Sequence, residues 1–392
     1  MKDVAIVSYG RTGIAKAGRG ALNATHGIPL LAHVLQHVVA KAQIEAGEIE
    51  DVIIGCGLPE GATGHNIART SALAAGFPKS VPGITVNRYC GSGINAASFA
   101  ANRIATGEAT VVVAGGVESI SMTQSHLNLN GFFYEPLQLR MPEVWWTMNQ
   151  TADFVARKYN ISREAQDAYA LRSQQHVGAA IARGVFAEEI IPFTTTMKQT
   201  DKTTNESKLA PVTLDRDEGP RPDSTIEGLA KLKPVAADGF ITAGNASQLS
   251  DGAAALVLMD AELAAKRNIP VLGLFRGMQV AAVAPEEMSI AIAPAIRKVM
   301  KHHAVAANSV DLWELHEAYA VTTLYNQREL DTPWDITNVN GGAVPLGHPY
   351  GMSGVRYIGS TLLELARRNK TRAIIGVCTA GGMGTAALLE RG

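Results

Sequence analysis

Charge of one sign is what this chain most plainly lacks: 35 Lys and Arg stand against 36 Asp and Glu, a formal net charge of -1. No global field favours nucleic acid or an anionic membrane, so neither is expected as a partner and any anionic ligand must be gripped locally. Cysteine is scarce as well, and three are too few for a disulfide framework, so each thiol is read singly as a free group in a reducing compartment. No stretch reaches the roughly 18 uninterrupted apolar residues of a membrane span. The histidines show no metal-ligand spacing, and His302-His303 reads as a solvated helix end. The turns GRTGIAKAG and GATGHN lack the Lys-Ser/Thr of a phosphate loop, which excludes that route to nucleotide hydrolysis. The opening MKDVAIVSYG reads as a first strand rather than a signal peptide, and LLERG is no peroxisomal tripeptide, so a cytoplasmic location is expected.

Apolar residues are abundant, at 46% of 392 positions, enough for a large core in more than one unit. Short Val/Ile-rich runs bounded by Gly (AIVSYG, DVIIGCG, ITVN, TVVVAGG) alternate with Ala-rich helical patterns at 27–47, 65–77 and 92–107, which reads as α/β. From about residue 260 the rhythm returns in VLGLFRGMQVAAV, a helix near 286–303, DLWELHEAYA, ITNVN, a helix near 353–369 and RAIIGVCTAGG. ITVN (84–87) to TVVVAGG (110–116) aligns with ITNVN (336–340) to AIIGVCTAGG (373–382), the longer loop GGAVPLGHPYGMS absorbing much of the length difference, so the ends read as copies of one plan. The texture changes between them, with NGFFYEP, MPEVWWTM, an amphipathic helix over 162–184 and a polar stretch at 194–217. The expected organisation is a first half at 1–118, an inserted loop domain at 119–249 that covers a shared site, and a second half at 250–392.

Three motifs carry chemistry. In ITVNRYCGSGINAASFA a strand ends near Asn87 and glycines 91 and 93 open a helix, which puts Cys90 at a helix N-terminus. The partial positive charge there, with a nearby imidazole, favours the thiolate, and the backbone N–H groups face a carbonyl under attack. The alternative is a buried thiol in a Gly-rich turn, which is how Cys56 in DVIIGCG is read. In NVNGGAVPLGHPYGMSG, His348 lies in a glycine-rich loop whose small residues let a substrate approach; it is either a solvated loop histidine or, with Cys90, an activated pair. In GVCTAGGMG, Cys378 ends an apolar run and is either packing or a second thiol able to protonate a departing enolate carbon and then deprotonate an incoming thiol.

NRYCGSG, GGVES, TAGNASQLSDGAAA, WELHEAYA, NVNGGAVPLGHPYGMSG and CTAGGMG, in order across essentially the whole chain, resemble the thiolases. The resemblance implies a duplicated α/β fold of five layers, αβαβα, and an acetyl-CoA acyltransferase that breaks or forms the carbon–carbon bond of a 3-oxoacyl-CoA. It implies Cys90 as the acylated nucleophile, His348 as its base, Cys378 as the acid/base thiol, and N–H groups of Cys90 and Ala380 as oxyanion donors, given a negative φ at Ala380. Coenzyme A is implied as substrate, with no permanently bound cofactor and no metal. Ser247 falls where relatives hold the pantetheine arm, Arg221 where one contacts the nucleotide, and Met148 and Ala243 along the thioester tunnel. A homodimer or homotetramer is implied.

Two departures stand out. His316-Glu317-Ala318-Tyr319 replaces the usual Asn-Glu-Ala-Phe, which puts an imidazole where an amide helps hold the enolate oxygen. That variant resembles the thiolase subunit of fatty-acid β-oxidation complexes. Thr379-Ala380 stands where many relatives carry Ile-Gly. A ketoacyl synthase, with one Cys and two His, is the nearest alternative, and Cys378 with the GHP motif argues against it. A catalytically silent acyl-CoA-binding relative is the other, and retention of both thiols argues against that.

Overall fold

The computed structural model describes residues 2–201 and 203–391. The first half contributes β1 (Val4–Arg11), β2 (Ala15–Lys16), β3 (Asp51–Gly55), β4 (Gly83–Val86) and β5 (Val111–Glu118). β6 (Phe193–Thr200) and β7 (Ser207–Leu214) follow, then β8 (Ser250–Asp260), β9 (Gly273–Ala282), β10 (Leu312–Leu315), β11 (Arg372–Thr379) and β12 (Met383–Glu390).

β5 and β8 are buried along their whole lengths, as expected of strands covered on both faces that read as unbroken apolar runs. Across the first half the order is β4-β3-β5-β8-β1, with β4, β3 and β5 mutually parallel and β8 antiparallel to both β5 and β1. In the second half the order β10-β11-β12-β9 repeats this: β10 and β11 are parallel, and β12 is antiparallel to β11 and β9. Thr337 bridges Trp313 in parallel on the outer side of β10, where the copy of β4 belongs. ITNVN, expected as a full strand, is reduced there to isolated bridges. The halves join through a two-residue antiparallel contact between β1 and β9, Ala5 with Leu274 and Ile6 with Gly273.

β8 thus closes the first half although the boundary expected at residue 250 assigned it to the second. Its counterpart β12 follows β11 through a tight turn, whereas the loop domain separates β8 from β5, and nothing local in the strand reveals its partner. The polar stretch at 194–217 holds most of the β6–β7 hairpin, whose outward threonines suit a strand face open to water.

Helices fill the layers. The helix Gly27–Lys41 packs with first-half strands in one core cluster, and Ile292–His302 packs with second-half strands in another. The latter buries Ile292, Ala295, Ile296 and Val299 along one stripe and leaves its other face to solvent. Between the sheets lie Ser92–Ala105 and Tyr350–Arg367, buried on nearly all sides and clustered with strands of both halves. The segment 119–249 adds Met148–Lys158, opened by a Thr147/Gln150 capping box, and Arg163–Ala182, capped by Ser162.

Candidate active site

After β4 the chain turns through Tyr89, whose φ of 44° is in the left-handed region that a bulky side chain avoids. The turn is held by Ser92 Oγ, which accepts from the Arg88 N–H at 2.8 Å and donates to the Tyr89 carbonyl at 2.6 Å. Cys90 therefore sits on a strained step between strand and helix, with its half-buried sulfur facing a cavity.

The motif glycines serve a different contact from the one expected. A Cβ at Gly93 would lie 2.6 Å from the Gly351 carbonyl oxygen, and one at Gly354 2.6 Å from the Ile94 nitrogen. They let the helices that follow Cys90 and His348 touch backbone to backbone, rather than admitting a substrate.

His348 is brought in by its loop. Its N–H donates to the Gln248 carbonyl at 3.0 Å, and its ring Nδ1 lies 2.7 Å from Ser353 Oγ. Upstream, the loop is tied to buried Glu317, which accepts from the Val344 N–H at 3.0 Å, Tyr169 Oη at 2.6 Å and Asn338 Nδ2 at 3.1 Å. Glu118, also buried, accepts the N–H of Gly351 at 2.9 Å and of Gly57 at 2.8 Å, fixing the start of the following helix. His316 packs against His348 with ring centroids 4.2 Å apart, and its Nδ1 is 2.6 Å from Tyr357 Oη.

Cys378 is the penultimate residue of β11 and is fully buried, close enough to Cys90 for charge on one sulfur to raise the pKa of the other. Ala380 opens the turn to β12; it avoids positive φ while Gly381 and Gly382 take 79° and 74°, and its N–H is near enough to the Cys90 sulfur to pull that thiol's pKa down.

A cavity of about 610 Å³ opens onto Cys90 and His348, while His316, Cys378 and Ala380 lie behind its lining. Cys90, His348, Met148, Ala243 and Ser247 all line it, as do Tyr319 and Tyr350. The segment 246–247 is held against the His316 stretch by a bridge from Ala246 to Tyr319 and by the Ser247 N–H on the Ala318 carbonyl at 2.9 Å. Arg221 stands apart from this lining: it is exposed, with its charge near Lys16.

Electrostatics depart from the expectation of a thiolate. Burial, with a smaller push from Glu118, raises Cys90 to about 12, outweighing the N–H groups that pull it down. Burial, then Arg356, lowers His348 to about 3. The resting pair is a thiol beside a neutral imidazole. Burial raises Cys378 and lowers His316 in the same way.

The sequence did not single out Glu118, Glu317, Ser353 or Tyr357. For the last two a signal existed: Ser353 and Tyr357 are four residues apart on a helix, hence on one face. Nothing marked which face met the imidazoles.

Residues 4–262 match the family model described as "Thiolase, N-terminal domain" and residues 269–391 the one described as "Thiolase, C-terminal domain". The chain is 39% identical over 394 residues to the 3-ketoacyl-CoA thiolase of Bacillus subtilis, covering 100% of both chains. It is 38% identical to the peroxisomal 3-ketoacyl-CoA thiolase 1 of Arabidopsis thaliana, over 100% of this chain and 88% of that one. A solved acetyl-CoA acetyltransferase from Bacillus anthracis superposes with a TM-score of 0.90 at 38% identity, covering 100% of this chain and 99% of the other.

Proposed function

The chain belongs to the thiolase family, and from that premise we propose that Cys90 carries the acyl group while His348, Cys378 and His316 handle its protons and charge. The enzyme is a CoA-dependent acyltransferase that cleaves a 3-oxoacyl-CoA to acetyl-CoA and a shortened acyl-CoA, or condenses them in reverse.

In the cleavage direction, His348 takes the Cys90 proton as the sulfur attacks the 3-oxo carbonyl. Starting from a thiol rather than a thiolate, proton removal accompanies attack. The N–H groups of Cys90 and Ala380 receive the oxyanion that forms. The carbon–carbon bond breaks toward the thioester, its electron pair passing into an enolate whose oxygen faces His348 and His316. Cys378 protonates the enolate carbon, and acetyl-CoA departs. The Cys378 thiolate then deprotonates incoming CoA, which attacks the acyl-Cys90 thioester, and His348 returns its proton to the Cys90 sulfur.

The observation that carries this reading is that Cys90, at the cavity beside His348, lies close enough to buried Cys378 for the two sulfurs to influence each other's charge. It argues for two cooperating thiols rather than the single cysteine of a ketoacyl synthase. Incubation with acetyl-CoA should leave an acetyl mass on the peptide containing Cys90, and Cys90→Ala should abolish turnover. Near-wild-type turnover in that variant rejects the scheme.

For the substrate, we assign Ser247 to the pantetheine arm, Met148 and Ala243 to the thioester tunnel, and the exposed Arg221 to the nucleotide. Fatty-acid β-oxidation is the proposed setting, in keeping with His316 and with the names of the relatives. A homo-oligomer is supported by β4, a sheet edge with no partner among the described residues, beside exposed Ile84, Tyr89 and Phe99. No helix among the described residues is long and apolar enough to cross a membrane. We propose a cytoplasmic setting because both thiols must stay reduced.

A further inference from the structure

His316 and His348 lie side by side, and each presents a buried Nε2 that has no hydrogen-bond partner among the described residues. What each can do depends on whether that nitrogen carries a proton or a lone pair, which the far side of each ring decides. One helix, Tyr350–Arg367, supplies both far-side partners, Ser353 to His348 and Tyr357 to His316.

The hydrogen atoms can be counted. Ser353 has one hydroxyl proton, and it goes to the Pro349 carbonyl at 2.9 Å. Toward His348 the serine oxygen is left as an acceptor, so Nδ1 carries the proton and Nε2 is a lone pair aimed at the site. Tyr357 is arranged the other way. It is buried, and the Arg356 guanidinium stacks on its ring at 4.2 Å. A stacked guanidinium accepts nothing, and among the described residues the Tyr357 proton finds no acceptor but His316 Nδ1. Were Nδ1 the donor instead, a buried hydroxyl proton would be left unmade, which is the costly side of hydrogen bonding.

We propose that Ser353 and Tyr357 are positioning residues that lock the adjacent imidazoles in opposite tautomers, His348 as a lone-pair base and His316 as an N–H donor toward the substrate thioester oxygen. Two Nε2–H groups would leave Cys90 without a base, and two lone pairs would repel the enolate oxygen. Once His348 has taken the Cys90 proton, both rings donate, so the second donor appears only as charge builds. Arg356 reinforces the arrangement because its charge opposes protonation of either ring. The inference rests on the acyl-Cys90 reading above.

The test uses the full-length enzyme and four forms: wild type, Y357F, H316N and the double variant. Y357F should lower kcat for 3-oxoacyl-CoA cleavage about tenfold with KM little changed, since it weakens one oxyanion donor without deleting it. In the H316N background the same change should cost about twofold or less, because the ring it positions is gone. Nitrogen NMR of histidine-labelled protein should show His316 protonated at Nε2 in the wild type and divided between tautomers in Y357F. Equal losses in both backgrounds, no loss in either, or a wild-type His316 protonated at Nδ1 would overturn the inference. Failure of acetyl-CoA to label Cys90 in the wild type would instead overturn the acyl-Cys90 reading, so the two failures are separable.

Discussion

Replacing Glu118 by Gln isolates the effect of one buried carboxylate on both stability and Cys90. Glu118 has no solvent exposure, and burial raises its pKa from 4.5 to about 7 against the backbone N–H groups that lower it. The folded protein therefore binds this proton more tightly than the unfolded chain. Its contribution to stability is whole below pH 4.5 and is lost as pH rises through about 7. At about 1.4 kcal/mol per pH unit, the loss amounts to about 3 kcal/mol. Gln does not titrate, but it offers one acceptor oxygen where the carboxylate has two, one serving Gly57 and Gly351 and the other Leu58. A buried N–H is left unpaired, so E118Q should be about 1–3 kcal/mol less stable than the wild type near pH 5. By pH 8 the wild type has lost its proton-linked stability and the gap should close or reverse. Urea unfolding of both proteins across that range reads the gap directly. A difference that does not change with pH refutes the argument. Removing the charge should also lower the Cys90 pKa, so iodoacetamide should alkylate it faster in the variant at a fixed neutral pH.

Glu317→Ala removes the acceptor shared by Tyr169, Ser173, Asn338 and Val344. It should cost about 3–5 kcal/mol in denaturant unfolding, as breaking a buried charged network does, and an unchanged midpoint would contradict the anchoring role. Gly116→Ala drives a methyl into the Gly351 backbone at the start of the His348 helix. It should cost about 1–3 kcal/mol with a parallel fall in activity, while Gly47→Ala, with only Pro78 at 3.9 Å, should leave both near wild type.

The strand–turn–helix units and their duplication were legible because they are local: apolar runs ending in glycine, then alanine-rich helices. The membership of β8 was not, since its partners β1 and β5 lie far away in sequence and an all-buried strand reads alike in either half. Cys90, His348 and Cys378 could be named from their motifs, and the structure sets Cys90 and His348 at one cavity with Met148, Ala243 and Ser247, buries Cys378 near Cys90, and leaves Arg221 outside. The charge balance at Cys90 was legible only in part. A helix N-terminus is visible in sequence, but desolvation, which outweighs it here, is a property of the packed molecule. The buried carboxylates were missed for the same reason: GGVES and WELHEAYA display Glu118 and Glu317, but not the backbone N–H groups that make them anchors.

The same packing explains how residues far apart in sequence meet. Each half ends a strand near the site and sends a helix between the sheets, and the two helices cross where glycines 93 and 354 let backbone meet backbone. Any side chain there would force the helices apart and carry Cys90 away from His348. The crossing also withdraws both reactive groups from water, Cys90 in part and His348 almost wholly, which favours their uncharged forms. Close approach and neutrality are therefore one consequence of the interface, and charge separation must be supported by groups already aimed at the reacting atoms: the Cys90 and Ala380 N–H groups on one side and the paired imidazoles on the other.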